Sequence, residues 1–446
     1  MGNVAEKSAN SVQLKVFIDE KKKKVMFAEA DEDFVEILFS FLTLPLGTIA
    51  SLNSKDIKVG SLTSLYESVQ NLNKKLFFKY WYKDCLLNPM NSSANVCEKL
   101  KVNLNGTKSI PYQPDAILFK KKGRFVITDD LNILPLVMDT SIALLNSLGV
   151  ESIDLLHEKT IYFGLKEFSH LLKWSLLTNN PLTNLVFGGR KSCSSLSTYS
   201  TPCNYSPFMS GNFTQTTVKL LLQKSKKKVL CAQVENRFVE LLFSFLTIPL
   251  GAYELLTKDI YSSPILGISN LYNSISSLGE RKFLKSEDVK SMLLCPKLAT
   301  NYLCVTDLFP IYEDNIRPGR FLKEQATFIV SDDLKVTASQ SIATISNFNA
   351  PGVPIPDMEF LDLYIGEEEA LLLLKVSLMS TSALTDWLRV LQYRKKPKVK
   401  SSLESLLQFI LGKIHLLWLL IMIVFCLRVM CQNLLSLKMG KRFRRS

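Results

Sequence analysis

The sequence offers little material for a catalyst. Histidine is scarce, with His157, His170 and His415 the only three in 446 residues. His170 falls beside Leu171 and Leu172, and Leu372 replaces it in the second half of the chain, which points to a half-buried structural histidine rather than a base. No Gly-x-Ser-x-Gly elbow occurs. The segment Gly188-Gly-Arg-Lys-Ser192 lacks the first glycine of a phosphate loop and has Arg190 where glycine is needed. Cys85/Cys97 and Cys295/Cys304 are twelve and nine positions apart, too far for the short knuckle that marks a zinc site. Buried free thiols are expected instead.

Targeting signals are also missing. No apolar run follows the first basic residues, so no secretory signal is expected. Met1-Gly2 begins a myristoylation pattern, but Glu6 stands where Ser or Thr is wanted. Nine cysteines in such a chain fit reduced thiols and a cytosolic body, and the sequons at Asn91, Asn105, Asn204 and Asn212 are then chance matches. Acidic residues are nearly absent from residues 394–446, which hold twelve Lys/Arg against Glu404. That segment carries +11 of the formal +13, so residues 1–393 are close to neutral. A nucleic-acid partner is not expected.

What the chain does have is repetition. Phe34-Val-Glu-Ile-Leu-Phe-Ser-Phe-Leu-Thr-Leu-Pro-Leu-Gly47 returns as Phe238-Val-Glu-Leu-Leu-Phe-Ser-Phe-Leu-Thr-Ile-Pro-Leu-Gly251. Apolar residues cover most of the cylinder, and Glu36, Ser40 and Thr43 form one narrow polar stripe. The pattern predicts one buried helix that stops at Pro45 and Gly47. Asp33 with Glu36 resembles a capping box, and Asn236 is the expected cap of the second copy.

Around this element the two halves run in parallel. A hairpin with a lysine-rich tip precedes the helix in each (residues 14–28 and 218–232). A second helix follows near 62–72 and 268–278. Strand-like runs end in Asp129-Asp-Leu131 and Asp332-Asp-Leu334, and Ser141-Ile-Ala143 matches Ser341-Ile-Ala343. Final strands meet Gly164 and Gly366, and a terminal amphipathic helix starts near Glu167 and Glu367. The predicted class is α+β: two tandem homologous repeats, each a β-hairpin plus buried helix, further strands and a terminal amphipathic helix. The expected division is a disordered 1–11, repeat 1 at 12–187, a Ser/Gly/Pro-rich linker at 188–215, repeat 2 at 216–393, and a basic tail at 394–446.

These signals together resemble the plant family called domain of unknown function 674. The resemblance rests on Val25-Met-Phe-Ala-Glu-Ala30 running into Asp33-Phe-Val-Glu36, on Phe39-Ser-Phe-Leu-Thr-Leu-Pro-Leu-Gly47, on Asp129-Asp-Leu131, and on Leu171-Leu-Lys173 through Leu182-Thr183. The second copy adds Leu371-Leu-Leu-Leu-Lys375, Ser377-Leu378 and Leu384-Thr-Asp386. It spans residues 12–393 and implies no activity. Members finish near the Leu-Thr-Asp segment and a short lysine-rich end, and the tail from Ser401 departs from that pattern.

The acidic pairs Asp129-Asp130 and Asp332-Asp333 are the one weak candidate for a metal, since hard cations prefer carboxylate oxygens. Against this stands a solvated strand-to-turn junction in which Asp caps backbone amides. The lysine runs at 21–24, 120–122 and 226–228 could contact an acidic partner, but two of them sit at hairpin tips, where solvated charge keeps edges from pairing. In the tail, residues 416–427 are twelve uncharged residues, short of the roughly twenty a spanning helix needs. A longer hydrophobic segment, 409–431, admits Lys413 and His415, and Cys426 or Cys431 could carry acyl groups. The expected function is a non-enzymatic interaction protein with a macromolecular partner and no cofactor. The alternatives are a metal-dependent enzyme or module using the paired Asp residues, and a membrane-surface adaptor held by its tail.

Overall fold

The computed structural model describes residues 11–53, 58–104, 117–120, 122–150, 152–188, 216–258, 260, 266–280, 283–299, 320–323, 327–338 and 353–395. The expectations for residues 1–10, the linker beyond Gly188, Asn105, Lys121, Cys304, residues 341–343, His415 and the segment 409–431 lie outside the described residues. The chain divides into two compact units, residues 1–390 and 391–446; of the second, only the last turn of one helix is described.

Apolar alternation in the first hairpin builds β1 (Val12–Asp19) and β2 (Lys24–Asp31). Leu14, Val16 and Ala28 point to one face and are fully buried, while Phe17 and Phe27 pair on the other and stack at 4.5 Å. With β3 (Arg124–Thr128), β4 (Ile133–Pro135) and β5 (His157–Phe163) they form an antiparallel sheet of order β4-β3-β2-β1-β5. The second copy reproduces it with β6 (Thr216–Gln223), β7 (Lys228–Glu235), β8 (Thr327–Ser331), β9 (Val336–Ala338) and β10 (Met358–Ile365), in the order β9-β8-β7-β6-β10. Even the irregularity is shared: the register shifts after Phe17 in one hairpin and after Leu221 in the other. Both hairpin tips carry solvated lysines, with Lys23 and Lys227 at φ 48° and 49°.

The helices of copy one are α1 (Glu32–Ser40), α2 (Leu46–Asn53), α3 (Leu62–Asn71), α4 (Tyr82–Leu87), α5 (Ala94–Cys97), α6 (Met138–Ser147), α7 (Leu165–Leu177) and α8 (Pro181–Phe187). Those of copy two are α9 (Asn236–Phe245), α10 (Leu250–Thr257), α11 (Leu266–Glu280), α12 (Glu287–Leu294), α13 (Glu367–Met379) and α14 (Ala383–Lys395). The fold is therefore α+β with two tandem repeats, as the sequence pattern predicts. In copy one the inner core gathers Phe34, Phe163 and Phe168, whose ring centroids lie 4.9–5.1 Å apart.

Two local expectations need correction. The repeated stretch is not one helix ending at Gly47. α1 stops at Ser40, a single 3₁₀ turn covers Phe41–Thr43, and the chain extends at Leu44 before α2 begins. Ser40 and Thr43 donate their hydroxyls back to Ile37 O and Ser40 O, and Pro45 has no amide to continue the ladder. The cap is Asp31, whose Oδ1 accepts from Phe34 N at 3.1 Å, so Asp33 and Glu36 form no capping box. In copy two Asn236 lies inside the helix, and its amide donates to Lys323 O instead.

The repeated motif also joins the copies. Pro45 and Pro249 face each other in an antiparallel bridge. Leu46 N donates to Ile248 O and Leu250 N donates to Leu44 O, both at 2.9 Å. The facing residues of such a pair exchange no bonds, so proline sits there without losing one. Gly47 N also donates to Leu246 O at 2.7 Å, and a Cβ on Gly47 would lie 2.9 Å from that oxygen. The glycine serves close approach, not helix termination.

The copies also exchange helices. α3 of copy one seats on copy two: Ser61 N and Oγ donate to Ser377 O and Ser380 O, and Val336 N of β9 donates to Ser68 Oγ at 2.8 Å. α11 of copy two seats on copy one: Ile133 N of β4 donates to Ser274 Oγ at 2.9 Å, and Asn270 Nδ2 donates to Asp130 O at 2.9 Å. Short backbone pairings repeat the exchange. Phe78 N and Lys323 N bond to Phe321 O and Leu76 O, and Lys120 N and Lys285 N bond to Phe283 O and Leu118 O. One edge of each sheet, at β4 and at β9, is thus covered by a helix from the other repeat. The halves are interlaced.

Candidate functional site

The acidic pairs have a defined structural role. Asp129 is buried at the end of β3 and accepts from Thr183 N at 2.8 Å and from Thr183 Oγ1 at 2.7 Å. Thr183 lies in the first turn of α8, so Asp129 caps that helix from another element. The Thr183 hydroxyl in turn accepts from Val25 N at 2.9 Å, tying the hairpin to both. Copy two repeats the amide bonds, Thr385 N donating to Asp332 Oδ1 at 2.8 Å and Val229 N to the Thr385 hydroxyl, but Asp332 Oδ2 is buried without a hydrogen-bond partner among the described residues. Burial raises both carboxyls above the usual range, opposed by the threonine hydrogen bonds. Asp130 and Asp333 accept from Thr128 and Ser331 across tight turns in which Leu131 and Leu334 adopt φ 64° and 63°. The expectation of capping by Asp holds, but the junction is not solvated at Asp129. Asp129→Ala should cost about 1–3 kcal/mol in urea unfolding, because it strands the Thr183 amide. Asp332→Ala should cost less, because only Oδ1 accepts from Thr385 and the other oxygen is buried unsatisfied among the described residues.

Among the described residues, no group of three or more His, Cys, Asp or Glu side chains is placed to hold a metal ion. Asp129, Asp130, Asp332 and Asp333 therefore do not converge into one cluster. Cys85, Cys97 and Cys295 take part in no disulfide among the described residues; Cys85 is half-buried and Cys97 buried, whereas Cys295 is exposed, against the expectation of a buried thiol. Cys97 lies 3.4 Å from Thr43 Oγ1. His170 is half-buried on α7, and His157 is exposed, 4.0 Å from Glu20.

The polar stripe of the repeated helix carries a second pair of anchors. Glu36 Oε1 accepts from Ile117 N at 2.7 Å and Leu118 N at 2.6 Å. Glu240 accepts from Phe321 N at 2.8 Å and Leu322 N at 2.6 Å. Those backbone segments are the ones that pair with the opposite repeat. Burial pushes both carboxyls up to about 7, against the pull of the amides they hold. Sequence periodicity identified these glutamates as a stripe; their partners, some eighty residues away, left no local signal.

Copy two has a further buried polar cluster. Glu254 accepts from Ser269 Oγ at 2.5 Å, and Lys375 Nζ donates to Thr257 O at 3.0 Å. The copy-one positions are Ala50, Thr63, Lys173 and Asn53. Burial raises the Glu254 carboxyl. Its polar atoms are directed at protein groups on all the contacts described, which fits a core polar bridge between α10, α11 and α13.

The copies also diverge on an outer sheet edge. β5 and β10 hold equivalent edge positions. On the outer face of β5 stand Glu158, Thr160 and half-buried Tyr162; β10 has Phe360, Asp362 and Tyr364 there. Phe360 is 65% and Tyr364 71% exposed. At this edge the matched strands of the two repeats present different chemistry to solvent.

Comparison with known families settles the affiliation. The family described as "Protein of unknown function (DUF674)" matches residues 8–114, 110–316 and 311–411. The chain belongs to this family. Both junctions between matched segments fall just before the backbone that Glu36 and Glu240 hold, and the middle segment runs from copy one into copy two. Comparisons with curated proteins and with solved structures give no match.

Proposed function

We propose that the protein is a non-enzymatic interaction module that presents the outer edge of β10 to a macromolecular partner. The observation that carries this reading is the contrast between the repeats. Their matched acidic residues hold backbone amides in both copies, whereas Phe360 and Tyr364 stand exposed in only one. Large aromatic side chains kept at a surface are a recurrent feature of binding patches.

The test is affinity recovery from cells of the source organism with the tagged full chain and with a Phe360→Ser/Tyr364→Ser variant of unchanged melting temperature. A specific partner held by the native chain and lost from the variant is expected. Identical recovery with both would remove the reading.

A membrane-surface adaptor is the second reading, resting on the +11 tail and the uncharged residues 416–427. No helix among the described residues is long and apolar enough to cross a membrane. Fractionation of the full chain beside a chain ending at residue 400 tests it. Equal distribution of the two would exclude the tail as an anchor.

A further inference from the structure

We infer that the occupant of the β10 edge is an extended, basic segment of a partner protein, added to the sheet as a further strand; this rests on the interaction reading above. β10 is paired along its eight residues with β6 and stands last in its sheet among the described residues. Edges of that length are ordinarily blunted by charged side chains, lysine above all, by proline or by a bulge; on β10 the charges are Glu359 and Asp362 alone. β10 contains no Lys, Arg or Pro, and its ladder with β6 runs without a register shift. Its main chain is suited to strand addition.

Charge selects the class of strand. Residues 357–369 hold six acids, Asp357, Glu359, Asp362, Glu367, Glu368 and Glu369, and no base. The matching residues 155–167 are balanced, with Glu158 and Glu167 against Lys159 and Lys166. Within this set Asp357 accepts from Ser225 and Gln223, and Glu369 caps Gly366 N, so the charge offered to an added strand is that of Glu359 and Asp362. Glu359 and Asp362 are exposed on the strand itself, with Lys219 opposite Asp362 offsetting part of the charge. A second copy of this chain is disfavoured as occupant, because pairing β10 with β10 brings like charges together. A strand with Lys or Arg on one face and apolar residues on the other would meet Glu359 and stack on Phe360 and Tyr364.

The experiment titrates the full chain with a fluorescent peptide of alternating lysine and valine at fixed ionic strength, with an alternating glutamate–valine peptide as control. The native chain should bind the basic peptide and not the acidic one. Phe360→Ser/Tyr364→Ser and Glu359→Lys should each weaken binding about tenfold, equivalent to about 1.4 kcal/mol. Glu158→Ser on β5 should leave it unchanged. Equal affinity of the β10 variants, or equal binding of both peptides, would overturn the inference. So would a self-associated chain dissociated by the same substitutions, or peptide binding that requires removal of residues 396–446, since each names a different occupant. Failure here with a Phe360-dependent partner still recovered from cells overturns the basic strand alone; loss of that partner overturns the interaction reading itself.

Discussion

Gly60→Ala is expected to destabilise the whole body by about 2–5 kcal/mol, measured by chemical unfolding. Two causes add at this residue. Its φ of +51° lies in the left-handed region, where a Cβ meets its own backbone. The added Cβ would also stand 2.5 Å from both Ser377 O and Leu378 O. Those are backbone carbonyls of α13, and Ser377 O already accepts from Ser61 N. Neither can swing aside as a flexible side chain could. The strain falls where α3 of copy one docks on copy two, so the loss should appear in both halves together. Gly149→Ala is the control. It shares a positive φ of 65°, but nothing lies within 4 Å of the added atom, so only the backbone preference, about 1 kcal/mol, should be lost.

Stability should fall as pH rises through neutrality, the reverse of ordinary acid denaturation. Glu36 and Glu240 are raised by burial from 4.5 to about 7 in the folded chain. The folded state therefore holds more protons than the unfolded chain between these values, and the stability slope with pH is negative there. The contribution is complete below about pH 4.5 and is lost on passing about pH 7. For each carboxyl it is on the order of 3 kcal/mol. Asp129, Asp332, Glu254 and Asp31 are raised as well and act with the same sign, while Asp19 and Asp357 at the surface are lowered and oppose it. Melting temperatures at pH 5 and pH 8 should differ in favour of pH 5. Glu36→Gln/Glu240→Gln should flatten most of that difference, because the amide cannot titrate. A native profile that is flat, or that rises toward pH 8, would contradict the assignment.

The elements that were legible in the sequence are those with a local cause. Alternation gave the hairpins, the 3.6-residue apolar rhythm gave α3, α7 and α11, and self-comparison paired the copies; α13, expected to be amphipathic, is instead buried at every position from Ala370 to Leu378. The breakdown of the repeated helix at Ser40 was not legible, because Pro45 and Gly47 look alike whether they end a helix or permit two chains to meet. Only the partner strand distinguishes these uses. The Asp129 anchor was half legible: a capping role follows from residue type, but Thr183 is 54 positions away and no periodicity connects them. The exchange of α3 and α11 had no signal at all. Homologous helices in homologous repeats have the same pattern whether each packs on its own sheet or on the other one.

Interlacing of the two copies is the central claim, and cleavage between them tests it most directly. A protease site placed in residues 189–215 of the full chain would separate the covalent halves after folding. Because α3 and α11 each cover one edge of the opposite sheet, and the Pro45–Pro249 bridge joins the repeated motifs, the fragments should co-elute as one species in native buffer. They should also melt in a single transition. Fragments that part on a sizing column without denaturant, or that melt independently, would show that the repeats are separate domains and contradict the account.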